Sequence, residues 1–122
     1  MLIVLSPAKA LDFTAGGPSA PVSAPQLSDQ TAELAKVTRK LRVADLKRMM
    51  TLSDPLAKLN RERFQSFDPE SEEGVQAVFA FNGDVYRGLM ARELDRKALA
   101  WAQDHVRILS GLYGVLRPLD AI

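Results

Sequence analysis

The stretch Leu109-Ser110-Gly111-Leu112-Tyr113-Gly114-Val115-Leu116-Arg117-Pro118-Leu119-Asp120 gathers the residue types that do chemistry. Ser110, Tyr113, Arg117 and Asp120 supply donors, acceptors and both signs of charge, while Gly111 and Gly114 let the backbone turn sharply or approach a ligand. The leucines between them hold the stretch in a core. Two further groups stand at the ends of apolar runs: Ser6 and Lys9 follow Leu2-Ile3-Val4-Leu5, and Asp84 follows the run that stops at Asn82-Gly83. If those runs are strands, all three sit where α/β folds meet ligands. The structural alternative has Ser6 capping a turn, Lys9 in solvent and Asp84 capping a short helix.

The elements that must position these groups follow from pattern. Leu2 to Leu5 is a continuous apolar run, predicted as a strand buried on both faces. Thr14 to Ala24, rich in Gly, Pro, Ser and Ala, is a flexible surface loop. Ser23 with Gln26 three residues later is a capping-box arrangement, and Leu27, Thr31, Leu34, Thr38 and Leu41 recur at helical steps. They predict a helix from Ala24 to Leu41. A second helix covers Ala44 to Met50, and Ser53 caps a third whose first turn holds Asp54 and Pro55. Asp68 to Gly74 is an acidic turn. Val75 to Phe81 is β-rich and predicted as a second buried strand. Asp95 caps a further helix ending near His105, whose ring is expected on the helix end or a core carbonyl. Val106 to Leu109 is the third strand and delivers the chain into the opening stretch.

Composition excludes several classes of function. At 122 residues, 47% hydrophobic and 25% charged, the chain is an ordinary globular protein. Without cysteine it has no disulfide framework, thiolate metal site or cysteine nucleophile. His105 is its only histidine, too few for a histidine-based metal site or a Ser-His-Asp triad within these residues. No metal or other cofactor is expected. Leu2 to Leu5 has no basic region before it and is too short for a signal or a membrane span. The expected compartment is the cytoplasm, with no membrane association.

Charge is segregated rather than large. From Lys36 to Arg63 nine Lys and Arg face three acids, an excess of six, so within a net charge of +1 the remainder carries −5. Such a field attracts a polyanion to one region and repels it elsewhere. Two short helices joined by Thr51-Leu52-Ser53 present Arg42, Lys47 and Arg48 on one side and Lys58, Arg61 and Arg63 on the other. That arrangement can straddle a nucleic-acid backbone and bind phosphates without reading bases. The same charges also suit the solvated face of amphipathic helices, with pairs such as Asp54 and Lys58.

Ser6-Pro7-Ala8-Lys9, then Phe81-Asn82-Gly83-Asp84-Val85-Tyr86-Arg87-Gly88-Leu89, then the stretch from Leu109 to Asp120 together resemble the YaaA family of peroxide-stress proteins. The resemblance covers nearly the whole chain. It implies an α/β fold, a mixed sheet with surrounding helices in an unusual single-domain topology, truncated here: residues 1–122 are the N-terminal part of one YaaA-like domain whose C-terminal half is absent. It implies a positively charged cleft, a helix-hairpin-helix element and binding of double-stranded or branched DNA. A role in limiting free intracellular iron and oxidative DNA damage during hydrogen peroxide stress is also implied. The hairpin is placed on Ala44 to Phe67, the basic helix-turn-helix pair, although its turn lacks glycine. Ser6, Lys9, Asp84, Tyr86, Tyr113 and Arg117 all fall within the family's motifs and could converge on one pocket. An enzyme acting on a nucleobase, nucleotide or related small molecule is therefore the alternative, with Lys9 beside Asp84 forming a Schiff base or transferring protons. Against it stands a merely structural Lys9–Asp84 pair and an Arg117 that binds carbonyls.

Overall fold

The computed structural model describes residues 1–14, 20–71 and 73–122. Residues 15–19 of the Gly/Pro-rich loop and Glu72 of the acidic turn lie outside the described residues. The chain forms two compact units, one made of Met1–Leu27 with Ser71–Ile122 and the other of Ser28–Glu70. With helices and a three-stranded mixed sheet it belongs to the α/β class.

The first unit is built on strands β1 (Ile3–Leu5), β2 (Val106–Ser110) and β3 (Gly114–Leu116), in that order across the sheet. β1 runs parallel to β2, with Ile3 opposite Val106, and β3 returns antiparallel, with Ser110 opposite Gly114. The β2–β3 turn is closed by the Tyr113 amide donating to Ser110 Oγ at 3.1 Å. Gly114 there has φ +72°, a left-handed conformation that costs glycine nothing. Ile108 and Leu116 are fully buried and pack with Ala77, Phe81 and Tyr86. A neighbouring cluster joins Val78, Phe79, Ala91, Leu99 and Leu119.

Expectations for both early strands and for the first helix fail here, each because tertiary contacts outweigh local pattern. Val75 to Phe81 is not a strand: Ala77–Ala80 is a single helical turn, α4, between isolated bridges at Gln76 and Phe81. Residues 77 to 81 are buried throughout. The turn lets Phe79 and Ala80 amides bond Gln76 O while Ala77 and Val78 reach the carbonyls of Asp120 and Pro118. Ser23 is not a helix cap. Its amide and carbonyl bridge Leu119 and Ala121, and the first helix, α1, begins later, at Ser28–Thr38. Finally, β1 is not buried on both faces, since Leu2 and Val4 are exposed.

The remaining elements of this unit are short. α5 (Asp84–Leu89) follows Gly83, which rather than Asp84 is the cap residue, and leads into a 3₁₀ turn at Ala91–Glu93. α6 (Arg96–His105) is capped as expected, the Ala98 amide donating to Asp95 Oδ1 at 2.7 Å. His105 closes that helix with Nδ1 2.8 Å from Trp101 O and its ring stacked on Trp101.

The second unit contains α1, α2 (Val43–Met50) and α3 (Asp54–Ser66) around buried Thr31, Ala35, Leu46 and Ala57. Thr31, Ala35 and Ala57 are small and let the helices approach closely, while Leu46 fills the space between them. Arg39 fastens the end of α1 to the end of α3 by donating to Phe67 O. Asp45 accepts the Arg42 amide at 3.0 Å, closing the start of α2.

Candidate functional site

The basic hairpin is α2, the turn Thr51-Leu52-Ser53 and α3. Chain reversal without glycine is achieved by Thr51, which takes φ 53° and caps α2 by donating its amide to Lys47 O. Glycine usually fills that position. Leu46 and Ala57 are buried, while Lys47, Arg48, Lys58 and Arg63 are exposed and Arg61 is half-buried.

The geometry divides these cations. Lys47 Nζ lies 2.8 Å from Asp54 Oδ1 across the hairpin, and this bond holds the Asp54 carboxyl below the usual carboxylate range. Lys58, the expected partner of Asp54, lowers its carboxyl pKa further through charge alone, while the direct bond goes to Lys47 because the turn brings the end of α2 against the start of α3. Arg42 and Arg48 both lean on Asp45, at 3.2 and 4.0 Å. No ion pair engages Lys58, Arg61 or Arg63 among the described residues. On α3 Lys58 and Arg61 share a side, but Arg63 lies about 140° around the helix from Lys58 at 3.6 residues per turn. A flat backbone therefore meets Lys58 and Arg61 together and Arg63 separately. Asp54, at the start of α3, adds a negative charge where an anion would otherwise be favoured.

The motif residues of the first unit are positioned differently from one another. Tyr86 is buried, stacks on Phe81 with ring centroids 5.3 Å apart, and donates its hydroxyl to Ser6 O at 2.6 Å. It thereby ties the Ser6-Pro7-Ala8-Lys9 loop to α5, using the backbone of Ser6 rather than its side chain. Burial pushes both Tyr86 and Tyr113 up to about 12. Lys9 is exposed, and Asp84, with its side chain 97% exposed, pairs with Arg87. Arg87 also reaches Asn82 Oδ1 at 3.3 Å. A cavity of about 260 Å³ beside α5 is lined by Asp12, Asn82, Tyr86, Arg87, Met90 and Arg92 among others, and neither Lys9 nor Asp84 lines it.

Arg117 belongs to a separate buried network. Its Nε and Nη2 donate to Asp120 Oδ1 at 3.1 and 2.9 Å, its amide donates to Asp120 Oδ2 at 2.8 Å, and Nη2 also reaches Ala24 O at 3.1 Å. Ser23 Oγ donates to the same carboxylate at 2.6 Å, and Gln103 links Ser23 to the Leu119 amide. The carbonyl-binding role considered for Arg117 is thus present, with Asp120 as its main partner. Sequence reading passed over Gln103 and the long reach of Ser23, for which no local signal exists. The Arg117–Asp120 spacing of three was the available clue.

No helix among the described residues is long and apolar enough to cross a membrane. The family model described as peroxide stress protein YaaA matches residues 1–122. A UPF0246 protein of Phenylobacterium zucineum is 77% identical over 122 residues, which is all of this chain and 46% of that protein. A UPF0246 protein of Caulobacter vibrioides is 72% identical over the same length, 48% of its own. The chain spans about half the length of these relatives. A match over every residue, running through all three motif stretches, places the chain in the peroxide stress protein YaaA family.

Proposed function

We propose that this protein serves the hydrogen peroxide response by binding double-stranded or branched DNA through its phosphates, limiting oxidative DNA damage and free intracellular iron. The observation that carries the reading is the α2–turn–α3 hairpin, which holds Lys47, Arg48, Lys58 and Arg61 on two joined helices with Lys58 and Arg61 outside any ion pair among the described residues. Contacts of this type act through charge and carry no base readout. The small-molecule enzyme reading through Lys9 and Asp84 draws no support from the geometry, because the Asp84 carboxylate is engaged by Arg87.

The test is binding of labelled duplex and four-way DNA across a salt series. With Lys47 held by Asp54, engagement of three phosphates by Arg48, Lys58 and Arg61 gives a log-log slope near −2.7, or about a 40-fold loss of affinity between 50 and 200 mM salt. Neutralising Lys47, Arg48, Lys58 and Arg61 to glutamine should remove most of that slope. An unchanged slope in the quadruple variant would sink the assignment of the hairpin. Absence of binding by folded wild-type protein would sink the DNA reading altogether.

A further inference from the structure

The two faces of the three-stranded sheet are unequal. Register places Ile3, Leu5, Val106, Ile108 and Leu116 on one side, and Val4, Arg107, Leu109 and Val115 on the other, with Val4 opposite Arg107 and Leu109 opposite Val115. The first side is closed by Ala77, Phe81 and Tyr86. On the second, Leu2 is 60% exposed, Val4 53%, Leu109 45% and Val115 37%. Arg107, the cation on this side, is half-buried and its guanidinium is engaged by backbone, donating to Gln103 O at 3.0 Å and Val106 O at 2.8 Å.

An apolar residue left open on the central strand of a sheet requires an explanation. Parallel pairs such as β1–β2 are ordinarily covered on both faces, and their covering is helical. Contiguous exposed apolar patches mark interaction surfaces. The relatives supply a source of cover, since this chain accounts for only 46% and 48% of their lengths. We infer that the Leu2, Val4, Leu109 and Val115 face is the docking surface for a helical layer contributed by the half of the family's length beyond the matched region. That layer presents an apolar stripe at three- and four-residue steps to the sheet. The inference goes beyond the DNA-binding reading and stands or falls separately from it.

A cysteine-free chain makes the test direct, because Leu109→Cys or Val115→Cys introduces a single reporter thiol. Lys97→Cys, at an exposed position on α6, is the control. Labelling rates with a maleimide are compared in this chain alone and in the same chain joined to the second half of the Phenylobacterium zucineum relative, with any cysteine there changed to serine. In the joined protein the thiols at 109 and 115 should react about a hundredfold more slowly than the control, since a covered site reacts only through local opening. In the chain alone they should react at rates similar to the control. Equal rates at all three positions in the joined protein would overturn the inference. So would slow labelling in the chain alone that accelerates on dilution, which would make a second copy the occupant. Val115→Cys gives the same reading if Leu109→Cys disturbs folding, and cysteines at the aligned positions of the relative itself give it if the joined protein does not fold.

Discussion

Replacing Asp120 with alanine separates a structural role for the Arg117–Asp120 pair from a role in a ligand site. The Asp120 carboxylate is fully buried and accepts four hydrogen bonds, from Ser23 Oγ at 2.6 Å and from the Arg117 amide, Nη2 and Nε at 2.8, 2.9 and 3.1 Å. Its loss leaves the Arg117 guanidinium, whose side chain is 25% exposed, without its counter-charge. Removing one partner of a buried pair costs about 3–5 kcal/mol, and the partial exposure of Arg117 places the loss at the lower end. With an unfolding entropy of about 2.1 cal/mol/K per residue, 3 kcal/mol in a protein of this size lowers Tm by roughly 12 °C. Asp120→Asn keeps the shape and one acceptor oxygen, so its loss should be smaller. The assay is thermal and urea unfolding followed by far-UV circular dichroism, with DNA affinity measured on the same samples below the transition. A Tm for Asp120→Ala within about 2 °C of wild type would refute the ranking of this network as a main stabilising element.

Other outcomes follow from the same geometry. Asp54→Asn should release Lys47 for a phosphate and steepen the salt slope of DNA binding by about 0.9, an extra loss of roughly 3.5-fold between 50 and 200 mM salt; a shallower slope would contradict the pairing. Because the Lys47 bond lowers the Asp54 pKa, the pair's contribution to stability is present above the ordinary carboxylate range and fades as pH falls through the lowered value. Urea titrations of wild type and Asp54→Asn should therefore converge in acid. Gly114→Ala forces a left-handed φ of +72° on alanine and puts its Cβ 2.7 Å from Leu27 Cδ1. The backbone term alone costs about 1–2 kcal/mol, readable as a lowered urea midpoint, and an unchanged midpoint would refute it. Tyr86 and Tyr113 are held near 12, above their ordinary value of 10, so the folded state keeps phenolic protons that the unfolded state has lost. Stability should fall as pH rises from 10 to 12, less steeply in Tyr86→Phe with Tyr113→Phe.

The helical hairpin was the most legible part of the chain. Its stripe of apolar positions, its Asp-Pro start and its run of cations are all local features, and α2 and α3 lie within a residue or two of where the pattern puts them. Asp95 as a helix cap and Val106 onward as a strand were equally local. The first helix was drawn too long because Ser23 and Gln26 satisfy a capping pattern that Asp120 and Leu119 override. The Val75 to Phe81 run misled for a related reason: β-branched and aromatic residues report burial, and burial inside a core does not distinguish a strand from a single helical turn.

Among the motif residues, type was legible and partnership was not. Sequence alone determined that Ser6, Lys9 and Asp84 follow the ends of apolar runs, because a short apolar run and the turn residues after it act over a few residues. Only the tertiary structure decided that Tyr86 answers to the backbone of Ser6, that Asp84 pairs with Arg87, and that Arg117 is joined through Asp120 to Ser23. Two of these links are local in sequence, and of them only Arg117–Asp120 is held in place by burial. The links to Ser6 and Ser23 span 80 and 97 residues, distances over which a linear pattern carries no geometric information.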